Sequence, residues 1–421
     1  MMLFTCTSVA ICVILQNNQV QMFHRILNAY KTSFSGLSRE TWILSIVILI
    51  NRCGFMAVPF MGLYVTQALH RPESDAGIII SLFGAGAIAG AAAGGKFTDM
   101  FGYRPVQILA ALIGGMFFLF FAMVDDFTWL CVLAMVISFF SEAFRPANYA
   151  AIASYAAEGT ETRSYSLNRL ANNIGWAFGI SMGGIIASFN YKLLFLVDGS
   201  VSILVGVVIF LLLPAKKIQR KTTQEQKELN VRKPWQDALF VKFIVLAAMF
   251  TTCFFMMFRV VPVFYKEVWH IDEALIGIIL GLNGIVIALM EMVMISKIEN
   301  KKSPMYYIVL GVLIVCSSFA VLMLPKAFPV VLAVLSILLF TFGEMFSLPF
   351  FNTFVVKRSN EHNRGLYAAG YTLSWSVAQV IGPSSGFYIA EKFGYNVLWI
   401  AVTVLLLTCA YFFSKLKLTE D

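Results

Sequence analysis

Runs of about 20 mostly apolar residues, enough to cross a hydrocarbon core roughly 30 Å thick as helices, recur twelve times along this chain. The first six cover residues 42–68, 76–95, 106–124, 129–155, 166–189 and 193–213. The second six cover 239–265, 274–296, 305–325, 328–354, 366–391 and 396–414. Short polar links join them, except for one long link from Pro214 to Gln236 that divides the chain into two sets of six. The pattern predicts an all-α integral membrane protein of two six-helix bundles, 42–213 and 239–414. A cytoplasmic lead (1–41), a cytoplasmic link (214–238) and a tail (415–421) complete it. Met1 to Leu15 is apolar but short, and has neither a basic flank nor a small-residue cleavage site. A signal-like segment and an interfacial stretch are both open readings of it; the preferred expectation is that translation begins at Met22, leaving 1–21 outside the protein.

Composition agrees with the spans and removes other classes. Of 421 residues, 59% are apolar and 13% charged, with a mean hydropathy of +0.79. Soluble proteins carry roughly 25% charged residues, and disordered chains are polar, so neither class fits. The seven cysteines are scattered through apolar stretches without a CxxC pair, which suggests neither a zinc site nor a disulfide framework. The net charge of +8 is a topology signal rather than a nucleic-acid footprint. If both termini are cytoplasmic, the inner segments hold 21 of the 31 Lys and Arg residues and the outer loops five. Basic residues favour the cytoplasmic side, so both termini are expected inside the cell membrane.

The two sets of six are related. AVPFMGLYV (57–65) matches VVPVFYKEV (260–268), pairing Pro59 with Pro262. SEAFRP (141–146) matches GEMFSLP (343–349), pairing Glu142 with Glu344. ETRSYSLNRL (161–170) follows against EHNRGLYAAG (361–370), pairing Arg163 with Arg364, and Asp99 falls opposite Glu299. Four matches in one order imply duplication. An even number of spans per half makes the repeat parallel, with its axis along the membrane normal.

The link between spans 2 and 3 reads Gly95-Lys96-Phe97-Thr98-Asp99-Met100-Phe101-Gly102-Tyr103-Arg104. It resembles the Gly-x-x-x-Asp-Arg-x-Gly-Arg-Arg pattern of the major facilitator superfamily of secondary transporters, keeping Gly95, Asp99, Gly102 and Arg104. The resemblance extends over residues 40–414 and is greatest to bacterial multidrug/proton antiporters. It implies a cytoplasmic gate in which Gly95 allows close helix contact, Gly102 allows a tight turn, and Asp99 pairs with a cation on a neighbouring helix end. Span 5 carries Gly175, Gly179, Gly183 and Gly184, spaced for close helix packing. Ile180 stands where the drug antiporters have proline, while span 11 keeps Gly382-Pro383. Weaker similarity links FRPANY (144–149) and the Gly-Glu of span 10 to proton-dependent peptide transporters, whose acidic-then-basic signature in span 1 is reduced here to Asn51-Arg52.

Charges placed at mid-membrane are costly and so face cavities or partners. Arg52 falls mid-span 1, Glu142 and Arg145 mid-span 4, Glu344 mid-span 10, and Arg259 in the outer half of span 7. Glu142 and Arg145, three apart, share a helix face. One reading pairs them structurally; the other has Arg52 and Arg145 holding an anionic group while Glu142 titrates. Glu344 repeats the arrangement, with Pro349 below it, but lacks the arginine. A carboxyl removed from water without a charged partner keeps its proton nearer neutral pH, so proton coupling is assigned to Glu344 first and Glu142 second. Glu291 is expected to pair with an arginine or meet solvent, and Asp198 to sit at the outer mouth. The four histidines lie in loops or the lead. Asn172, Trp176, Trp375 and Arg259 join Arg52 and Arg145 as candidate cavity residues, packing being the alternative for the tryptophans.

No phosphate-binding loop, HExxH or nucleophile elbow is present, so the chain is not expected to be an enzyme and needs no cofactor beyond a proton gradient. No channel filter is seen. The expected function is proton-coupled transport of small organic molecules by alternating access, as drug/proton antiport or alternatively as symport of peptides, sugars or organic anions. A transport-fold receptor or lipid flippase is a further alternative. The partners expected are a small-molecule substrate and the bilayer, with no nucleic acid, around a monomer.

Overall fold

The computed structural model describes residues 36–157, 160–214, 234–298, 301–359 and 364–416. The proposed start at Met22, most of the central link and Glu299 lie outside them, as do the side chain of Arg364 and the last five residues. Twelve spans are helical. In the first half they are Arg39–Ala68, Glu73–Phe101, Tyr103–Phe121, Phe127–Tyr155, Glu161–Phe189 and Tyr191–Leu212. In the second half they are Ala238–Glu267, Glu273–Ile298, Pro304–Val321, Pro329–Arg358, Arg364–Phe393 and Tyr395–Lys415. Eleven of these helices are long and apolar enough to cross a membrane. The exception is span 11, where Ser374, Ser376, Gln379, Ser384 and Ser385 break up the apolar run.

Two spans are interrupted, which the apolar pattern alone does not predict. Span 1 stops at Cys53 and restarts at Ala57, ending in a π-helical turn over Tyr64–Ala68. Span 7 stops at Arg259 and restarts at Val261. The repeat-paired prolines explain both positions. A proline ring clashes with the carbonyl four residues earlier and is tolerated in a helix's first turn. Pro59 and Pro262 each lie in the first turn of the second segment.

Packing follows the duplication. Span 2 packs on span 4, 3 on 4 and 6, and 1 on 5; in the second half 8 packs on 10, 9 on 10 and 12, and 7 on 11. Across the halves, span 5 meets span 8 and span 2 meets span 11. Advancing every number by six maps this pattern onto itself, as a parallel repeat requires. Small residues govern the tightest contacts, where backbones approach without intervening side chains. Gly86, Gly90 and Gly94 bring span 2 against the backbone of Met135, Phe139 and Ala143 in span 4. Across the halves, Gly184 meets Gly277, Gly281 meets Ser181 and Gly284 meets Ala177, while Gly77 and Gly84 meet Ser384 and Val380.

Those cross-half contacts gather toward one end of the bundle, the end carrying the links after spans 1, 3, 5, 7, 9 and 11 (the odd-loop end). There Gln67 Nε2 donates to Glu267 at 3.0 Å, the Ser74 N–H to Glu391 at 2.6 Å and the Tyr191 hydroxyl to Glu273 at 2.7 Å. Toward the opposite, even-loop end, Arg169 of span 5 pairs with Glu291 of span 8.

Each half also ties the start of its first span to the end of its fourth. Ser38 caps span 1 through the Thr41 N–H (3.1 Å) and donates to the Tyr155 carbonyl at 2.6 Å. Asp237 caps span 7 through the Phe240 N–H (3.3 Å) and accepts two bonds from Arg358, at 2.7 and 3.1 Å, and one from Tyr367 at 2.9 Å. Burial alone would raise the Asp237 carboxyl, but the Arg358 and Tyr367 donors outweigh it and hold it below its ordinary range.

Candidate functional site

The sequence-predicted charges separate into two clusters. In the first, Glu142 and Arg145 of span 4 form an ion pair at 3.2 Å, as their three-residue spacing on one helix face implies. The Arg145 side chain is 44% exposed and Glu142 18%, so the arginine faces the open side of the pair. Arg52 comes from the last turn of the first segment of span 1 and lies in the field of Glu142, Arg145 and Tyr149. Its Nε is sealed without a hydrogen-bond partner among the described residues, and its guanidinium sits 5.5 Å from the Phe55 ring. Arg259, the last residue of the first segment of span 7, reaches the same cluster from the other half, in the field of Glu142. It is 7% exposed, packs on Phe83 (5.7 Å) and Phe255 (5.9 Å), and leaves one guanidinium nitrogen unpartnered among the described residues. Three arginines around one carboxylate leave a surplus of positive charge.

The second cluster surrounds Glu344. Asn283 of span 8 donates to Glu344 at 2.8 Å and also lies 3.1 Å from the Thr341 hydroxyl. Glu344 therefore has a partner, but a neutral amide rather than the cation Glu142 has. The Arg169–Glu291 pair lies within electrostatic reach, and its arginine again comes from the opposite half.

Aromatic rings link the clusters at the interrupted spans. Trp176 lies 6.1 Å from Phe55 at the span 1 break and 6.0 Å from Phe258 at the span 7 break. Trp375 packs against Phe254 (5.4 Å) and Phe255 (5.8 Å), with its indole N–H buried and the Tyr371 ring 6.3 Å away. Asn172 is half-buried, and its amide donates to its neighbour Asn173 at 3.4 Å. The deeper polar contact is a ladder of Gln107, Asn148 and Asn168, with steps of 3.4 and 3.3 Å.

Asp198 is the residue sequence reasoning misplaced. It is 1% exposed rather than at the mouth, and its two oxygens accept the Met56 N–H (3.1 Å) and the Ala57 N–H (2.9 Å). It caps the second segment of span 1, where a helix N-terminus favours negative charge. Arg52, Glu142, Asp198, Ser141 and Ser202 border a void of about 20 Å³ behind the break, room for about one water. The sequence signal was present: an aspartate in an otherwise apolar run requires donors, and Pro59 frees backbone groups in span 1.

The gate residues divide. Gly102, at φ +93°, turns span 2 into span 3 in a single residue, a conformation that favours glycine. Gly95 is not a close-contact residue: a side chain there would meet open space, and the contact with span 4 lies one residue earlier, at Gly94. Asp99 is exposed and has no ion pair among the described residues, because the close contacts between halves lie toward the other end. Arg104 donates to the Phe210 carbonyl at 2.7 Å and covers its ring at 5.7 Å, tying span 3 to span 6 within one half.

Comparison with known proteins gives this geometry a family. The sequence model of the Major Facilitator Superfamily matches residues 44–383. The chain is 26% identical over 384 residues to the uncharacterised MFS-type transporter YttB of Bacillus subtilis (strain 168), covering 88% of this chain and 93% of that one. It is 24% identical over 373 residues to a Na(+), Li(+), K(+)/H(+) antiporter of Planococcus maritimus, covering 80% and 86%. Among solved structures, a POT family transporter in complex with 5-aminolevulinic acid superposes with a TM-score of 0.75 at 15% identity, over 91% of this chain and 98% of that one. The nucleoside transporter NupG superposes with a TM-score of 0.74 at 14% identity, over 90% of this chain and 99% of that one. The chain belongs to the Major Facilitator Superfamily and is a multi-pass membrane transporter with the twelve-helix fold of that family.

Proposed function

We propose that the chain is a proton-coupled antiporter, working by alternating access and powered by the proton gradient without a cofactor. The observation that carries the reading is Glu344, a carboxyl inside the helix bundle that accepts a hydrogen bond from the neutral amide of Asn283. Glu344 can be neutral without stranding a cation, and a cavity carboxyl that alternates between charged and neutral is what proton coupling needs. Antiport is supported by the likeness to the Planococcus maritimus antiporter. The basic bias of the even loops supports a cell-membrane orientation with both termini inside. In that orientation the conformation is closed outside, and substrate approaches Arg145 and Tyr149 from the cytoplasm.

A second reading, symport of organic anions, rests on the arginine surplus at Arg52, Arg145 and Arg259, which suits a carboxylate. Purified protein in liposomes with an imposed pH gradient tests both: substrate moving against the proton gradient means antiport, and with it symport. Glu344→Gln is expected to leave exchange of substrate across the membrane but remove its response to the gradient. Unchanged gradient-driven transport in that variant would overturn the assignment of the proton site.

A further inference from the structure

A third polar cluster, at the closed odd-loop end, plays no part in the reading above. Glu73 opens span 2 and is 9% exposed, and its Oε2 is sealed without a hydrogen-bond partner among the described residues. It faces Glu267 from the end of span 7, Glu391 from span 11 and Tyr395 from span 12. Three carboxyls from both halves thus converge on the joint between the halves at this closed end.

The nearby cations are already engaged. Arg71 pairs with Asp75 at 2.6 Å, Lys192 with Asp125 at 2.6 Å, Lys266 with Glu273 at 2.8 Å and Lys392 with Glu391 at 3.4 Å. Glu391 also accepts the Ser74 N–H at 2.6 Å, and Glu267 accepts the Gln67 amide at 3.0 Å. His70, His270, Asp272 and Lys326 are exposed around the joint. Among the described residues, Glu73 is left opposite Glu267 with no cation between them. Two ionised carboxylates at such a site repel, whereas one proton makes one of them a donor to the other.

We propose that Glu73 and Glu267 form a proton-operated latch: a proton shared between them is taken up when the halves close at the odd-loop end and released when they part. The latch senses the solution on that side only, and no proton passes through it. Closure binds one more proton than opening, so the ratio of closed to open forms falls with rising pH, by up to about tenfold per pH unit while the separated carboxylates are ionised. The latch does not depend on Glu344, and its test does not require transport.

The experiment uses the full-length protein in lipid nanodiscs, with spin labels introduced through non-natural amino acids at Met123 and Phe328, exposed odd-loop positions in opposite halves. Distance distributions are measured from about pH 5 to about pH 8 at fixed salt. The long-distance population is expected to rise with pH in the wild type. Glu73→Gln and Glu267→Gln, each supplying an amide donor in place of the proton, are expected to flatten that rise to less than about twofold across the range. Glu391→Gln, which keeps the Glu73–Glu267 pair, is expected to keep the slope. A wild-type slope retained in both Glu73→Gln and Glu267→Gln overturns the proposal. So does a wild-type distribution that ignores pH but follows sodium or potassium, which would mean that a metal cation occupies the joint.

Discussion

The two halves solve the same structural problems with different chemistry. In the first half the mid-membrane carboxylate comes with its own cation, Glu142 with Arg145 at 3.2 Å, and the first-span cap is a hydroxyl, Ser38. In the second half the assignments reverse. The mid-membrane carboxylate meets a neutral amide, Asn283 at 2.8 Å, and the cap is a charged network of Asp237, Arg358 and Tyr367. Fixed charge thus sits at the mid-membrane cluster of one half and at the even-loop end of the other. A paired carboxylate resists protonation because neutralising it strands its partner; an amide-bonded one loses only a neutral hydrogen bond. The half with the amide is therefore the one suited to change charge.

The largest effect expected from breaking this contrast is on stability. Arg358→Ala leaves the 1%-exposed Asp237 without its cation, and loss of one partner of a buried pair costs about 3–5 kcal/mol. Thermal unfolding in detergent measures it. The same network predicts an acid limit. The Asp237 carboxyl is held below its ordinary value, so its contribution is full above the unfolded value of about 3.9 and is lost as pH falls through the folded one. The stability gap between wild type and Asp237→Asn should close below about pH 4; a gap constant with pH would contradict the reading.

Next comes transport. Glu344→Gln is expected to lower gradient-driven accumulation about a hundredfold, roughly 2.7 kcal/mol. Glu142→Gln, which frees Arg145, should alter substrate affinity, tightening it for an anion, yet keep gradient sensitivity. Equal loss of coupling in both variants would erase the distinction between the halves. The smallest effect is at the hydroxyl cap: Ser38→Ala should cost about 1 kcal/mol, clearly less than Arg358→Ala in the same assay.

Features encoded locally were legible in sequence. The spans follow from apolar run length, and the Glu142–Arg145 pair from its i,i+3 spacing. Features completed by distant partners were not. Pro146, Pro349 and Pro383 lie within continuous helices, so Pro59 and Pro262 could not be singled out as breaks by residue type. What closes the span 1 break is Asp198, more than 140 residues away on span 6. The amide donor to Glu344 comes from span 8, and no local pattern joins the two. Gly95 was missed by one position, yet one helical residue is a rotation of about 100°, enough to turn it off the face that Gly86, Gly90 and Gly94 present to span 4.

The glycine-rich seam between spans 5 and 8 has a kinetic consequence. Interlocked side chains must change rotamers before two packed surfaces can separate, and closely packed interfaces tend to shift between discrete arrangements. Where Gly184 meets Gly277 the surfaces are nearly bare backbone, with little to disengage. Such a seam behaves as a bearing, so the rate of opening should be governed by the hydrogen bonds at its rim and should slow when a bulky side chain is placed on the track.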